Sequence, residues 1–508
     1  MNLIPAKKVN TGNYWCTWTT QYTSLSKFAG GIEGVCQVRN NLNEEMLFNK
    51  PGVANKYFER AKSELYLVFD DGWDVPYNTL PNENKDRFGS CELFEERFPS
   101  CSGNPAKRLI KLNKIVQGHG WKGVGLWIAA QAKGENDKTI YDIDTLKAYW
   151  KERAIWCADA GICYWKVDWG IHAHDFVFRK MLTDIAKEYC PDLKIEHAYC
   201  MGPFNGLNDE SRRFKDWKTE SGISYLDMNI ATLNFSDYLR IYDVAAELSV
   251  ATTLDRVVEL LSKGKTSPDV LNILNVEDEL FLGAALGCSV GVMRHPIWNE
   301  EIRPDIGKRR KRIDEISRAI RWHRIAPPYG IGQNDVYVSD EIAKDSWDFG
   351  RTYDWSGVFN TTESQTSPIA VSRGIDLPLI IAGDLKPIVV ASRHPVTKAV
   401  SIATLPRTVL DRGFVIPAAD ITLIVEECEV QIGIFGTYKS LNLDFSCDIS
   451  TKKIFAQDLI GDECLDITSE VKIEGNRLKL QGELISKVGL SNATEFDASY
   501  PGLILVLK

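Results

Sequence analysis

Between about residues 10 and 330, short apolar runs that end in polar or charged residues alternate with longer amphipathic stretches of helical period. Consecutive parallel strands must be joined by a long crossover, usually a helix, so this alternation predicts repeated βα units around a parallel sheet. The runs fall near Tyr14 to Thr19, Leu65 to Asp70, Gly123 to Ala129, Ile162 to Asp168, Leu193 to His197, Tyr238 to Asp243, Val270 to Leu274 and Ser289 to Met293. Helical patterns lie between and after them at Ala106 to Gln117, Asp144 to Ala160, Ala173 to Tyr189, Asp278 to Leu286 and Ile313 to Arg324. Eight units predict a closed (β/α)₈ barrel over residues 1–330. Ala326-Pro327-Pro328-Tyr329-Gly330 stops the last helix and opens a linker. Beyond it, alternating runs at Ile421 to Val425, Val430 to Ile434 and Leu503 to Leu507 predict an antiparallel β-sandwich over residues 331–508. All 14 tryptophans lie at or before Trp355, which sets the two halves apart in character.

Composition excludes several classes of partner. A net charge of −9 argues against nucleic acid, and the one dense basic run, Lys308 to Arg312, lies in a helical pattern with few aromatics beside it. There is no run of about 18 apolar residues to cross a membrane. Met1 to Gly12 has no apolar core of a secretory signal, so a cytosolic protein is expected. The twelve cysteines show neither C-x-x-C spacing nor a regular framework, which favours reduced thiols. In an oxidising compartment, Cys91 and Cys101 would be the most plausible disulfide.

In such a barrel the active site gathers at the carboxyl ends of the strands. Tyr164-Trp165-Lys166-Val167-Asp168-Trp169-Gly170 is the richest of these ends. Side chains alternate along a strand, so Lys166 and Asp168 share a face while Trp165 and Val167 turn to the helices. A cation one strand repeat away keeps Asp168 ionised, as a nucleophile requires. Other strand ends supply Trp15 to Trp18, Asp70-Asp71-Gly72-Trp73, Trp127, Glu196, His197, Tyr199, Arg240, Asp243, Arg294 and His295. Carboxylates that hold hydroxyls, set among indoles that stack on an apolar sugar face, suit a carbohydrate. Glycoside hydrolysis also needs two carboxyls, one ionised and one protonated.

With Asp70-Asp71-Gly72-Trp73, Lys166-Val167-Asp168, a Trp-rich first strand and an arginine closely followed by Asp at strand 6, the chain resembles clan D glycoside hydrolases, most closely family 27. The resemblance implies a barrel followed by a sandwich and an exo-acting, retaining hydrolase of α-galactoside type. It implies Asp168 as nucleophile, Asp70 and Asp71 as ligands of sugar hydroxyls, and Lys166 as a further contact. Trp15, Trp73, Trp127, Glu196 and Arg240 complete the expected substrate site, with no metal or cofactor. Two departures stand out: Arg240 and Asp243 are three positions apart where the family usually has four, and Glu196-His197-Ala198-Tyr199 matches its strand 5 segment loosely. Asp243 is the expected acid/base, because Tyr238 to Tyr242 is an apolar, strand-like run that would place it at the carboxyl end; Asn234-Phe235-Ser236-Asp237 is a rival match, and Asp237 takes the role if Tyr238 to Leu248 is helical.

Blander readings accompany these. Asp70-Asp71 could cap a helix, Lys166 could merely neutralise Asp168, the tryptophans could be packing, and Cys163 and Cys200 are small core residues. His172-Ala173-His174 is the one spacing suggestive of a metal. A transglycosylase on the same scaffold, a non-catalytic sugar-binding barrel and a metal-dependent hydrolase are the competing functions.

Overall fold

The computed structural model describes residues 1–23, 31–49, 52–198, 225–241, 250–264, 267, 269–293, 312–348, 362–409 and 413–508. Asp243, Tyr199, Cys200, Arg294, His295 and Lys308 to Lys311 lie outside them. Eight parallel strands close a barrel in chain order: β1 (Tyr14–Cys16), β2 (Tyr66–Phe69), β3 (Gly123–Ile128), β4 (Tyr164–Val167), β5 (Lys194–His197), β6 (Tyr238–Ile241), β7 (Ile273–Glu277) and β8 (Ser289–Val292). Closure is made by β1 against β8, with Tyr14 opposite Gly291. The (β/α)₈ expectation holds.

Helix boundaries follow local chemistry. Asn104 caps Pro105–Gly118 by accepting from the Lys107 amide, with proline at the first helical position. Asp142 and Asp175 cap Ile143–Ala160 and Phe176–Tyr189, and Gly161 ends the former in a left-handed conformation. Among the described residues no helix is long and apolar enough to cross a membrane.

The register of β7 differs from expectation. The sequence suggested Val270 to Leu274, but the strand runs to Glu277, because Asn275 and Glu277 point into the barrel, where polar partners replace the apolar contacts that define a strand by pattern. Inside the barrel, Tyr14, Tyr66, Tyr164 and Tyr238 pack ring against ring at 5.3–5.9 Å around Tyr164. They fill the lower interior and leave the polar side chains to the carboxyl ends.

The C-terminal region pairs an eight-stranded sheet, running from Leu465–Asp466 at one edge to Val336–Val338 at the other, with a five-stranded sheet from Leu379–Ala382 to Lys472–Glu474. Their facing apolar residues form a core that includes Ile402, Leu423, Ile432, Leu443 and Leu505. Most neighbouring strands are antiparallel; Ala370–Arg373 with Ile388–Arg393, Val400–Leu405 with Gln431–Phe435, and Ala419–Val425 with Ser440–Phe445 are parallel. Among the described residues a disulfide joins Cys428 to Cys447 in this region, whereas Cys91 and Cys101 are free and buried, each packed into the barrel's apolar core.

The two parts share a continuous junction. Phe281 and Trp322 pack on Phe435, and Arg373 donates to the carbonyls of Leu286 and Gly330. At its centre Arg318, on the helix Asp314–Trp322, forks onto Asp458 at 3.0 and 3.1 Å, both side chains fully buried. Asp458 also accepts from the Ile460 and Asn492 amides. Removing one partner of a buried pair strands the other charge, so Arg318→Met should lower unfolding free energy by about 3–5 kcal/mol in denaturant titration. A loss below about 1 kcal/mol would show that the pair does not hold the junction.

Candidate active site

The carboxyl ends of β1 to β4, β6 and β8 enclose a cavity of about 220 Å³ lined by Trp18, Val35, Arg39, Asp70, Asp71, Trp127, Lys166, Asp168, Trp169, Arg240 and Met293. Of the expected site residues, Asp70, Asp71, Trp127, Lys166, Asp168 and Arg240 meet here.

Asp168 follows β4 directly. Its amide donates to the Ile128 carbonyl at 3.0 Å, and Arg179 Nη2 donates to its own carbonyl at 2.6 Å, so the backbone is fixed on both sides. Gly170 makes the following turn possible: at φ +155° it lies against Ala130, where any Cβ would sit 2.7 Å from backbone atoms. The Asp168 side chain is a quarter exposed. Its Oδ1 lies 3.2 Å from Arg240 Nη2 and its Oδ2 accepts from Trp127 Nε1 at 3.1 Å. Burial pushes this carboxyl up, but Arg240, Lys166 and the Trp127 hydrogen bond outweigh it and hold Asp168 below the usual carboxylate range.

Lys166 is not the direct partner of Asp168 that its strand position suggested. Its Nζ bonds Asp70 Oδ2 at 2.7 Å and lies 3.4 Å from Cys16 Sγ, with only 1% of the side chain exposed. Burial and Arg240 pull its pKa down, yet Asp70 and its neighbours win and the amine stays charged. The Cys16 thiol donates to the same Asp70 oxygen at 2.9 Å.

Asp71 is occupied. Arg39 Nε donates to Oδ1 at 2.8 Å and Nη2 to Oδ2 at 2.6 Å, while Trp169 Nε1 reaches Oδ2 at 3.2 Å. The intervening Gly72, at φ +118°, lets the helix Gly31–Asn40 press against the end of β2, since a Cβ there would meet the Arg39 backbone oxygen at 2.9 Å.

Arg240 is the buried hub. Besides Asp168 it lies 3.9 Å from Glu196 and 3.6 Å from Glu277, with no exposed side-chain surface. Glu196 does not reach the cavity: it is fully buried below the mouth, where Tyr14, Tyr164 and Asn275 donate to it. Burial raises its pKa against the pull of Arg240. Glu277 is also buried, and neither of its oxygens has a hydrogen-bond partner among the described residues. Burial lifts it to about 8, against the pull of Arg240 and Lys166.

Two expected tryptophans lie elsewhere. Trp15 faces out of the barrel, stacked on Trp121 at 5.5 Å, because residues 14 and 16 take the inward positions of β1. Trp73 is fully buried and donates to the Trp127 carbonyl at 2.8 Å. The first strand instead supplies Trp18, one of four residues noted at its end. Trp165 and His197 face helices, bonding Cys157 and Arg179 respectively. His172 is bound to Glu135 at 3.0 Å and stacked on Phe178, and its carboxylate neighbours Asp175 and Glu135 overcome burial to raise it to about 9. Among the described residues no cluster of three metal-ligating side chains occurs. Asp237 precedes β6 and is bound by the Ile195 amide and Lys187 Nζ, at the end of the barrel away from the cavity. Because residues 238–241 are a strand, Asp237 loses its claim as acid/base.

Sequence reasoning missed Arg39 and Glu277. Arg39 sits in an ordinary helix, remote from any strand end, and nothing in its neighbourhood marks it. Glu277 would have been found by extending β7 by three residues.

No family model and no curated protein matches the chain. Among solved structures, it is similar to a family 27 β-L-arabinopyranosidase from Geobacillus stearothermophilus, at 10% identity and TM-score 0.40, over 98% of this chain and 97% of that one. It is similar to a protein assigned as an α-N-acetylgalactosaminidase from Bacillus halodurans at 13% and 0.39, over 100% and 99%. It is also similar to an α-amylase from Geobacillus thermoleovorans at 11% and 0.39, over 99% of each chain. At such identities and scores nothing about substrate or reaction transfers to this chain.

The buried Glu277 generates a pH test. From its ordinary value of 4.5 up to about 8, the unfolded chain releases this proton while the folded chain keeps it, so the wild type loses stability as pH rises through that window. Glu277→Gln has no proton to lose. Its melting temperature relative to wild type should climb from pH 5 to pH 8.5 in calorimetry, and a flat difference would show that Glu277 ionises normally.

Proposed function

We propose that the chain is a glycoside hydrolase that removes a terminal α-linked sugar by double displacement, with Asp168 as nucleophile. One observation carries this: a single partly exposed carboxylate, kept ionised by Arg240 and Trp127, opens into a cavity walled by indoles and further carboxylates. The indoles Trp18, Trp127 and Trp169 offer apolar faces to a sugar ring, and Asp70 offers an acceptor to its hydroxyls. Asp168 would attack the anomeric carbon, forming a glycosyl-enzyme as the bond to the leaving oxygen breaks. Asp243, two residues beyond the end of β6, would protonate that oxygen and then take a proton from the attacking water. The chain would divide near residue 330, the barrel carrying the chemistry and the sandwich bracing it.

Nitrophenyl glycosides test the assignment. Asp168→Ala should lower kcat at least about a thousandfold while leaving the melting temperature within a few degrees. Full activity of that variant would remove Asp168 from the mechanism. Azide should rescue Asp168→Ala by giving a glycosyl azide of inverted configuration, which a non-catalytic sugar-binding barrel could not do.

The acid limb of kcat/KM reports ionisation of free Asp168. Because its pKa is depressed, activity should persist below the ordinary carboxylate value and fall only as the pH passes the depressed one. Trp127→Phe keeps a ring in the wall but removes the hydrogen bond to Oδ2, so the limb should move to higher pH by about one unit. An unmoved limb would mean that another group controls it.

A further inference from the structure

Asp168 is held in place from behind. Arg179, on the helix Phe176–Tyr189, has no exposed surface, and its guanidinium lies under the end of β4. Nη1 donates to the Val167 carbonyl at 3.1 Å, Nη2 to the Asp168 carbonyl at 2.6 Å and Nε to the Ala173 carbonyl at 2.9 Å. These contacts mark where the strand turns. The Val167 carbonyl faces β5, where it also takes the Ala198 amide at 3.1 Å, while the Asp168 amide faces β3 and donates to the Ile128 carbonyl. In a continued strand the Asp168 carbonyl would follow its own amide towards β3, because successive residues offer their polar groups to opposite neighbours. Instead one guanidinium holds the Val167 and Asp168 carbonyls together, and Ala173 anchors the far side of the bend.

The guanidinium is itself oriented. Arg179 Nη1 lies 3.1 Å from His197 Nδ1, and an arginine only donates, so Nδ1 accepts and the ring proton sits on Nε2. Nε2 donates to Thr183 Oγ1 at 2.9 Å, and the Thr183 hydroxyl donates to the Arg179 carbonyl at 2.9 Å. The circuit returns to the residue where it began, with one direction at every step. Burial and the Arg179 charge hold His197 far below the ordinary imidazole range, so the ring stays a neutral acceptor, and Phe235 packs edge-on against it at 5.5 Å.

We infer that Arg179, oriented by His197 and Thr183, is a positioning residue for Asp168: its fork sets the backbone turn from which the carboxylate is aimed at the sugar, and its charge joins those of Arg240 and Lys166 around that carboxylate. The inference deepens the proposed glycosidase activity and rests on it. Attack on the anomeric carbon tolerates little error, since a displacement of about 1 Å can cost about a hundredfold in rate. The charged groups that act on Asp168 are Arg240, Lys166 and Arg179, with Asp71 as the neighbouring carboxylate.

Steady-state kinetics test it on the nitrophenyl glycoside that wild type hydrolyses fastest, with rates taken per folded protein. Arg179→Lys keeps the charge and loses the fork, so kcat should fall about a hundredfold with KM within about threefold and the acid limb of kcat/KM in place. Arg179→Met loses both, so the limb should also move to higher pH, a cation that lowers Asp168 being gone. His197→Leu releases the guanidinium without removing it and should cost about tenfold in kcat. His197→Asn, whose side-chain oxygen accepts where Nδ1 did, should restore most of that loss, and this pair decides the matter if neither Arg179 variant folds. Wild-type kcat in Arg179→Lys, or in His197→Leu where the Arg179 variants do not fold, would overturn the inference and leave the glycosidase assignment standing. So would a lowered melting temperature with kcat and the acid limb unmoved, which is what a purely structural brace gives. A wild type inert on every glycoside offered would overturn the assignment and the inference with it.

Discussion

A guanidinium with no exposed surface, deep in the barrel, is the constraint on which the site depends. Taking Arg240 out of water is costly, and only several carboxylates at once can repay it. They come from three neighbouring strands. Asp168 follows β4, Glu196 belongs to β5, and Glu277 ends β7, flanking Arg240 on β6. Parallel register staggers them by single inward positions: Glu196 lies opposite Lys166 and Tyr238, one inward position before Asp168 and Arg240, and Glu277 one inward position beyond Asn275, which lies opposite Arg240. The same arrangement divides the labour among the carboxyls. Asp168, the most exposed and the closest to Arg240, is held below the usual carboxylate range, while Glu277, almost wholly buried and slightly farther from that charge, is pushed towards its neutral form.

A second charged assembly closes the opposite wall and comes from outside the strands. The helix Gly31–Asn40 brings Arg39 over Asp71, and its close approach depends on Gly72 having no side chain. Trp169 joins the assembly from the other direction, packing against Trp127 at 5.4 Å and Phe88 at 4.8 Å while its indole N–H reaches Asp71. The wall is therefore a set of mutually oriented planar groups.

The C-terminal sheets meet the barrel through buried polar contacts. Arg318, Arg373 and Ser401 bridge the two parts at buried atoms, and Ser401 donates to the Ala285 carbonyl on the short helix between β7 and β8. That helix, Leu280–Leu286, is entirely buried and follows the strand that carries Glu277. The junction therefore lies next in sequence to the strand end where the Arg240 network finishes.

Much of this was legible in the residues. The eight-unit alternation, the stop at Pro327-Pro328 and the shared inward face of Lys166 and Asp168 follow from strand period and turn chemistry, which are local. Asp70, Asp71, Trp127, Lys166, Asp168 and Arg240 could be named because strand ends are where a barrel gathers its site. What the sequence could not decide is which charge meets which. Lys166 bonds Asp70, at the end of β2, and not Asp168, its neighbour on the same strand face, while Trp15 faces out of the barrel and Glu196 lies buried below the mouth. Arg39 had no local mark at all, since its role arises only when a helix folds back over β2. The sequence by itself determined the barrel and most of its polar mouth, since periodicity is a property of neighbours along the chain. Tertiary structure alone decided the ion-pair partners, and with them which acceptors and donors remain for a ligand, because electrostatic pairing depends on distances that only closure of the barrel defines.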